Sequence, residues 1–157
     1  MSGALHAALG RALSFVSERS APSLLEALLS RMAWELQALV SAQCIDVAIL
    51  IRPREGAAIA GRSREEPALP TPTIIGIVVE AGTEGASVRI KDHAIDSARL
   101  VSAGCRSSIV VRLSLPEGML QGGESWLWMG LVCAAAPAHV EQAREVARAV
   151  SEWASAN

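Results

Sequence analysis

The side chains best suited to chemistry lie between Asp92 and Ser108. Asp92 and His93 are adjacent, and a carboxylate beside an imidazole can orient it for proton transfer or metal ligation. Asp92 is equally suited to capping a helix that begins after it. His6 and His139 are remote in sequence, so the chain shows no spaced set of metal ligands. Cys105 adjoins Arg106, whose charge can lower a thiol pKa and make the sulfur reactive. The alternative is a buried, inert thiol. Arg106 with Ser107 and Ser108 could bind an anion, because a guanidinium pairs bidentately with carboxylate or phosphate. The same arginine could instead pair with Glu80, Asp92 or Asp96. Trp126 and Trp128 supply much of the aromatic surface of a chain with no tyrosine and one phenylalanine. They could line a pocket or pack in a core. There is no glycine-rich phosphate loop, no Ser-His-Asp hydrolase signature and no basic nucleic-acid patch. The chain is therefore read as a non-enzyme.

Hydrophobic spacing predicts the elements that position these groups. Residues 4–18 form a first helix, with Leu5, Leu9, Leu13 and Val16 near helical spacing. The chain breaks at 18–22. A second helix runs from about Pro22 to Gln43, where Pro22 suits a first turn and Ser23 with Glu26 forms a capping box. In it Leu25, Leu29, Met32, Leu36 and Leu39 are spaced four, three, four, three, which is a heptad seam. Leu24, Leu28 and Val40 add a second apolar strip. One strip can lie on a sheet, and two leave surface for another helix, so the seam predicts a helical homodimer interface.

Residues 45–52 alternate as a strand, with Val47, Ile49 and Ile51 on one face. Pro53 to Gly56 is turn chemistry, and 57–63 can return as a hairpin strand. Residues 64–72 hold three prolines and read as a surface connection. Residues 74–80 are rich in β-branched side chains, which locally favour a strand. Residues 87–91 form a strand, 92–102 a helix stopped by Gly104, and 108–115 a strand with Ile109, Val111, Leu113 and Leu115 on one side. Residues 125–135 are apolar on both faces, as a central strand covered on both sides would be. A final helix covers about 138–154. This order gives an α+β fold with an antiparallel sheet and no strict strand–helix alternation.

The 157 residues fit a compact chain, 51% hydrophobic and 19% charged, which is globular and not disordered. A net charge of −2 gives no reason to expect nucleic acid or an anionic membrane as partner. No apolar run reaches the length of a membrane span and no signal peptide opens the chain. Cys44, Cys105 and Cys133 are odd in number and widely spaced, which points to reduced thiols in the cytoplasm.

The segment Gly76 to Leu115 with its downstream strand also carries a resemblance. EAGTEGASVRIKD resembles the ETG-x-PV-x-I-x-D pattern of GAF domains. HAIDSARLVSAG then resembles their short helical excursion, CRSSIVVRLSL their GIRSSLAVPL, and WMGLVCAAAP their G-x-L-x-L-x-S-x-x-P. The resemblance spans about Leu24 to Ala154, and divides the chain into an N-terminal helical extension (1–21) and a GAF-like domain (22–157). It implies a GAF/PAS-like central antiparallel sheet, with terminal helices on one face and short helices and loops on the other. It also calls for a helix, not a strand, at 74–79.

By the same resemblance, the sheet and residues 76–108 would wall a small-molecule pocket, with Asp92, His93, Arg99, Arg106, Ser107 and Ser108 as its polar candidates. Arg112 stands where the family usually has proline. The cyclic-nucleotide signature and the Cys-His pair that anchors bilins are missing, so those ligands are not expected and the cofactor stays unidentified. The implied function is a cytoplasmic sensory or regulatory module of a bacterial signalling system. It would be homodimeric through its terminal helices and coupled to a downstream domain or protein. With no kinase, cyclase or DNA-binding sequence, it would be a fragment of a longer protein or a separate subunit. The alternatives are a ligand-free structural dimerisation module, and a GAF-type methionine-sulfoxide reductase or thiol redox sensor using Cys105.

Overall fold

A computed structural model of the chain describes residues 2–17, 24–64, 69–82 and 87–157. Two helices, α1 (Ser2–Ser17) and α2 (Leu24–Gln37), precede a hairpin of β1 (Cys44–Arg52) and β2 (Ile59–Arg62). Helix α3 (Thr71–Gly82) leads to β3 (Val88–Asp92) and the short helices α4 (His93–Asp96) and α5 (Ala98–Ser102). Then come β4 (Ser107–Leu113), α6 (Glu117–Leu120), β5 (Glu124–Leu131) and the long α7 (Pro137–Ala156). The five strands lie in the order β2-β1-β5-β4-β3, and every neighbouring pair is antiparallel.

Each inner strand divides its residues between two cores, because successive side chains point to opposite faces. On one face Val47, Ile49, Ile51, Ile109, Val111, Leu113, Leu127, Met129 and Leu131 pack under α1, α2 and α7. On the other, Ala48, Leu50, Val110, Trp126 and Trp128 pack with Ile74 and Val78 of α3, Leu100 of α5 and Cys105. β5 is central and buried on both sides. Both tryptophans therefore belong to the core opposite the terminal helices.

Residues 74–80 are helical. Pro72 sits in the first turn of α3, where its missing N–H costs nothing, and Ile74 with Val78, one turn apart, are fully buried. Tertiary burial overrides the β-branched preference. The expected helix at 92–102 is two helices, because Ser97 adopts an extended conformation (φ −152°, ψ 92°) and its Oγ accepts from the Leu100 N–H. Gly104, at φ +91°, takes the left-handed turn that ends this region.

The heptad seam corrects differently. Leu29, Met32 and Leu36 are 0% exposed within the chain itself, against β1, β2 and α1. Leu25 and Leu39 are half-buried against the same core. Helix α2 also ends at Gln37, six residues before the expected stop, so Leu39 lies in a turn. There Gln37 Nε2 donates to the Cys44 carbonyl at 2.7 Å. Leu29, Met32 and Leu36 thus form the core-facing stripe of α2 and are buried by the chain's own sheet and α1. The expected break at 18–22, the start at Pro22, the Ser23 capping box, part of the 64–72 connection and part of the EAGTEGASVRIKD segment lie outside the described residues.

Candidate functional site

β3, α3 and the α4–α5 excursion enclose a cleft of about 610 Å³ against β4. Its apolar wall comes from Ile77 and Ala81 of α3, Leu100 of α5 and Val110 of β4. Its polar wall is Glu80, Arg89, Lys91, His93 and Ser97. Arg89 and Lys91 share a face of β3 because they are two residues apart, opposite Val88, which packs into the helical-side core. The cleft thus combines an apolar floor with converging groups of both charges, the usual make-up of a small-molecule site.

His93 is 1% exposed and lines this cleft. Its backbone N–H donates to the Arg106 carbonyl at 2.8 Å, which sets it at the junction of β3 and α4. Its Nε2 lies 2.6 Å from Ser108 Oγ. Ser108 Oγ also accepts from the Trp128 indole N–H at 2.9 Å. An indole N–H only donates, so Ser108 is the acceptor in its bond with Trp128 and the shared partner of both rings. Trp128 reaches Ser108 because its ring lies along its strand over Gly130, where an added Cβ would stand 2.5 Å from a ring carbon. Replacing Ser108 by alanine strands two buried polar atoms and should cost about 2 to 3 kcal/mol in urea unfolding. It should also shift the Trp128 indole proton resonance. An unchanged midpoint would show that this relay does not hold the floor of the cleft.

The other expected site residues do not converge. Asp92 caps α4, accepting from the Ala94 N–H at 2.9 Å, and pairs with Arg106, whose Nε is 3.1 Å away. The Arg106 guanidinium, with the Ala94 amide, holds the Asp92 carboxyl below the usual carboxylate range. Asp92 is therefore engaged by Arg106 and the α4 N-terminus, and Arg106 is already paired with a carboxylate. Ser107 faces the other way from Ser108, and its hydroxyl donates to the Cys133 carbonyl at 2.6 Å. Arg99 is exposed and outside the cleft lining. Of the six, only His93 lines the cleft, with Ser108 bonded to it, while Asp92 and Arg106 meet each other outside the lining. The residues missed are Glu80, Arg89, Lys91 and Ser97, of which Arg89 and Lys91 could have been found from the Arg-x-Lys alternation on an edge strand.

The two buried thiols, Cys44 and Cys105, are not activated. Cys105 is fully buried and its thiol is pushed up, chiefly by burial, despite the adjacent arginine. Burial pushes Cys44 up to about 12. Among the described residues, no group of three or more His, Cys, Asp or Glu could hold a metal, and no helix is long and apolar enough to cross a membrane.

No family model matches the chain, and no curated protein matches it. Solved structures do. The phycocyanobilin-bound GAF domain from a cyanobacterial phytochrome is 16% identical with a TM-score of 0.51, over 95% of this chain and 94% of that one. The fRMsr of Staphylococcus aureus, in complex with substrate, is 13% identical with a TM-score of 0.51, over 95% and 94%. A protein described as a GAF sensor from Burkholderia vietnamiensis is 18% identical with a TM-score of 0.54, over 98% and 90%. With the five-stranded antiparallel sheet between its two helical layers, the chain has the GAF-domain fold.

Proposed function

We propose that this chain is a cytoplasmic sensory or regulatory GAF module that binds a small molecule in the cleft between α3, β3 and α4–α5. One observation carries the reading: the cleft brings Glu80, Arg89, Lys91, His93 and Ser97 around an apolar floor on the sheet face away from α1, α2 and α7. Ligand contact with α3 and β4 would be felt through the sheet by the helices on its far side, which provide the output surface. The physical requirement is a difference in ligand affinity between two arrangements of that helical layer. Homodimerisation remains part of the proposal, through the side chains that α1 and α2 leave exposed, such as Leu13 and Leu24, in place of the buried seam.

The module is proposed to be non-catalytic. Likeness in fold to an fRMsr raises the reductase alternative, but a buried Cys105 with a raised pKa is a poor nucleophile at neutral pH. A bilin is not proposed either, although a fold neighbour holds one, because the chain lacks the anchoring Cys-His pair.

The test is a thermal-shift screen against small metabolites. A ligand at about 100 times its Kd stabilises by roughly 2.7 kcal/mol, which for a chain of this size raises Tm by about 5–10 °C. The expected result is a concentration-dependent rise that Lys91→Ala reduces. A flat response across the panel would favour the ligand-free dimerisation module.

A further inference from the structure

A second cleft lies on another part of the molecule, bounded by α1, α2 and the end of β2, with a volume of about 840 Å³. It shares no lining residue with the cleft at α3 and β3. Its lining among the described residues contains three arginines, Arg31, Arg62 and Arg64, and no carboxylate. Two of these guanidinium groups are built in. Arg62 has a side chain only 8% exposed, fixed by Asp46, by the Leu69 carbonyl at 3.0 Å and by Thr71 Oγ1 at 3.2 Å. Arg31 is stacked between Phe15 and Trp34, with its Cζ 4.1 and 3.9 Å from the ring centroids, and its Nη2 meets Glu35 at 3.3 Å.

The Nε atoms of both Arg31 and Arg62 are buried and have no hydrogen-bond partner among the described residues. Buried guanidinium donors are ordinarily satisfied, and these two unsatisfied ones belong to residues that line this one cleft. The adjacent carboxylates are already engaged: Glu35 is shared by Arg11 and Arg31, and Asp46 is held by Arg62 and Ser63. Among the described residues, the positive charge of Arg64 is therefore left over on this wall. Beside it, Trp34 is 52% exposed although it is a large aromatic side chain, and an exposed indole is a surface for stacking a planar ring.

We propose that this cleft is a second ligand site, selective for a small planar anion: an aromatic or heteroaromatic ring that carries a carboxylate or a phosphate. The ring stacks on Trp34, and the anionic group takes the arginine donors.

The test is a titration of the full chain followed by amide and indole NMR shifts, with benzoate and adenosine monophosphate as probes and inorganic phosphate as the ringless control. At least one ring-bearing probe should give saturable shifts at the Trp34 indole N–H and the amides of Ser30, Arg31 and Ser63. Benzoate and adenosine monophosphate separate the carboxylate source from the phosphate source. Phosphate alone should bind about tenfold more weakly or worse. Trp34→Ala and Arg64→Ala, both at exposed positions, should each weaken binding about tenfold with the rest of the spectrum unchanged. The proposal is overturned if no probe saturates by roughly 10 mM, if both variants bind as the parent does, or if the shifts fall on Ile77 to Val110. It is equally overturned if the Trp34 resonance moves with protein concentration alone, since the cleft is then a contact between two copies.

Discussion

Alanine at position 61 should destabilise the domain by about 3 kcal/mol or more, beyond the usual range for an added methyl in a core. Gly61 lies on β2 directly beneath α2. A Cβ there would stand 2.2 Å from the Leu29 carbonyl carbon, 2.4 Å from the Ser30 nitrogen and 2.5 Å from Leu29 Cβ. Two of these atoms are backbone, so no rotamer change relieves the clash and α2 must lift from the strand. Lifting it unpacks Leu29, Met32 and Leu36, all fully buried. Urea unfolding of Gly61→Ala measures the loss. A variant within about 1 kcal/mol of the parent would mean that α2 does not rest on this edge strand.

Asp46→Ala should be as damaging, at about 3–5 kcal/mol, because it leaves the buried Arg62 guanidinium without its counter-charge. Asp46 is 3% exposed and accepts from both Arg62 and Ser63. Arg62 in turn holds the Leu69 carbonyl and Thr71, so the pair ties β1 and β2 to the start of α3. The loss should therefore spread to α3, one wall of the ligand cleft. Replacing both partners by leucine should recover a large part of the stability, since two matched apolar groups remove the uncompensated charge. If the double variant is no more stable than Asp46→Ala, the pair is not the origin of the loss.

Much of the sheet was legible from period-two alternation, as in 45–52 and 125–135, although the latter strand ends at Leu131, four residues before the expected stop. Alternation gave which residues share a face, while which helices cover each face came only from the packing. The same rule scattered the expected site. Ser107 and Ser108 are adjacent, so a strand must send one to each face, and only Ser108 reaches the cleft side. The Asp92–Arg106 pair was among the open alternatives. Choosing it required the β3–β4 register, which pairs Asp92 with Ser107 and brings Arg106 alongside. The α2 stripe misled because a three-four spacing looks the same whether the facing surface is a helix or a sheet. The Asp46–Arg62 pair left no trace in the pattern. It depends on the β1–β2 register, which sets Arg62 opposite Ala48 and so near Asp46, and on the approach of α3, neither of which has a local sequence signal.

The ligand cleft is tested most directly by amide-shift mapping of the full chain, titrated with the metabolite that raises Tm most. Saturable shifts should appear at Ile77, Ala81, Ile90, Leu100 and Val110, with smaller changes carried through the sheet into α7. A ligand that leaves those five amides unmoved while shifting others, or a panel in which nothing saturates, would contradict the assignment of this cleft as the sensory site.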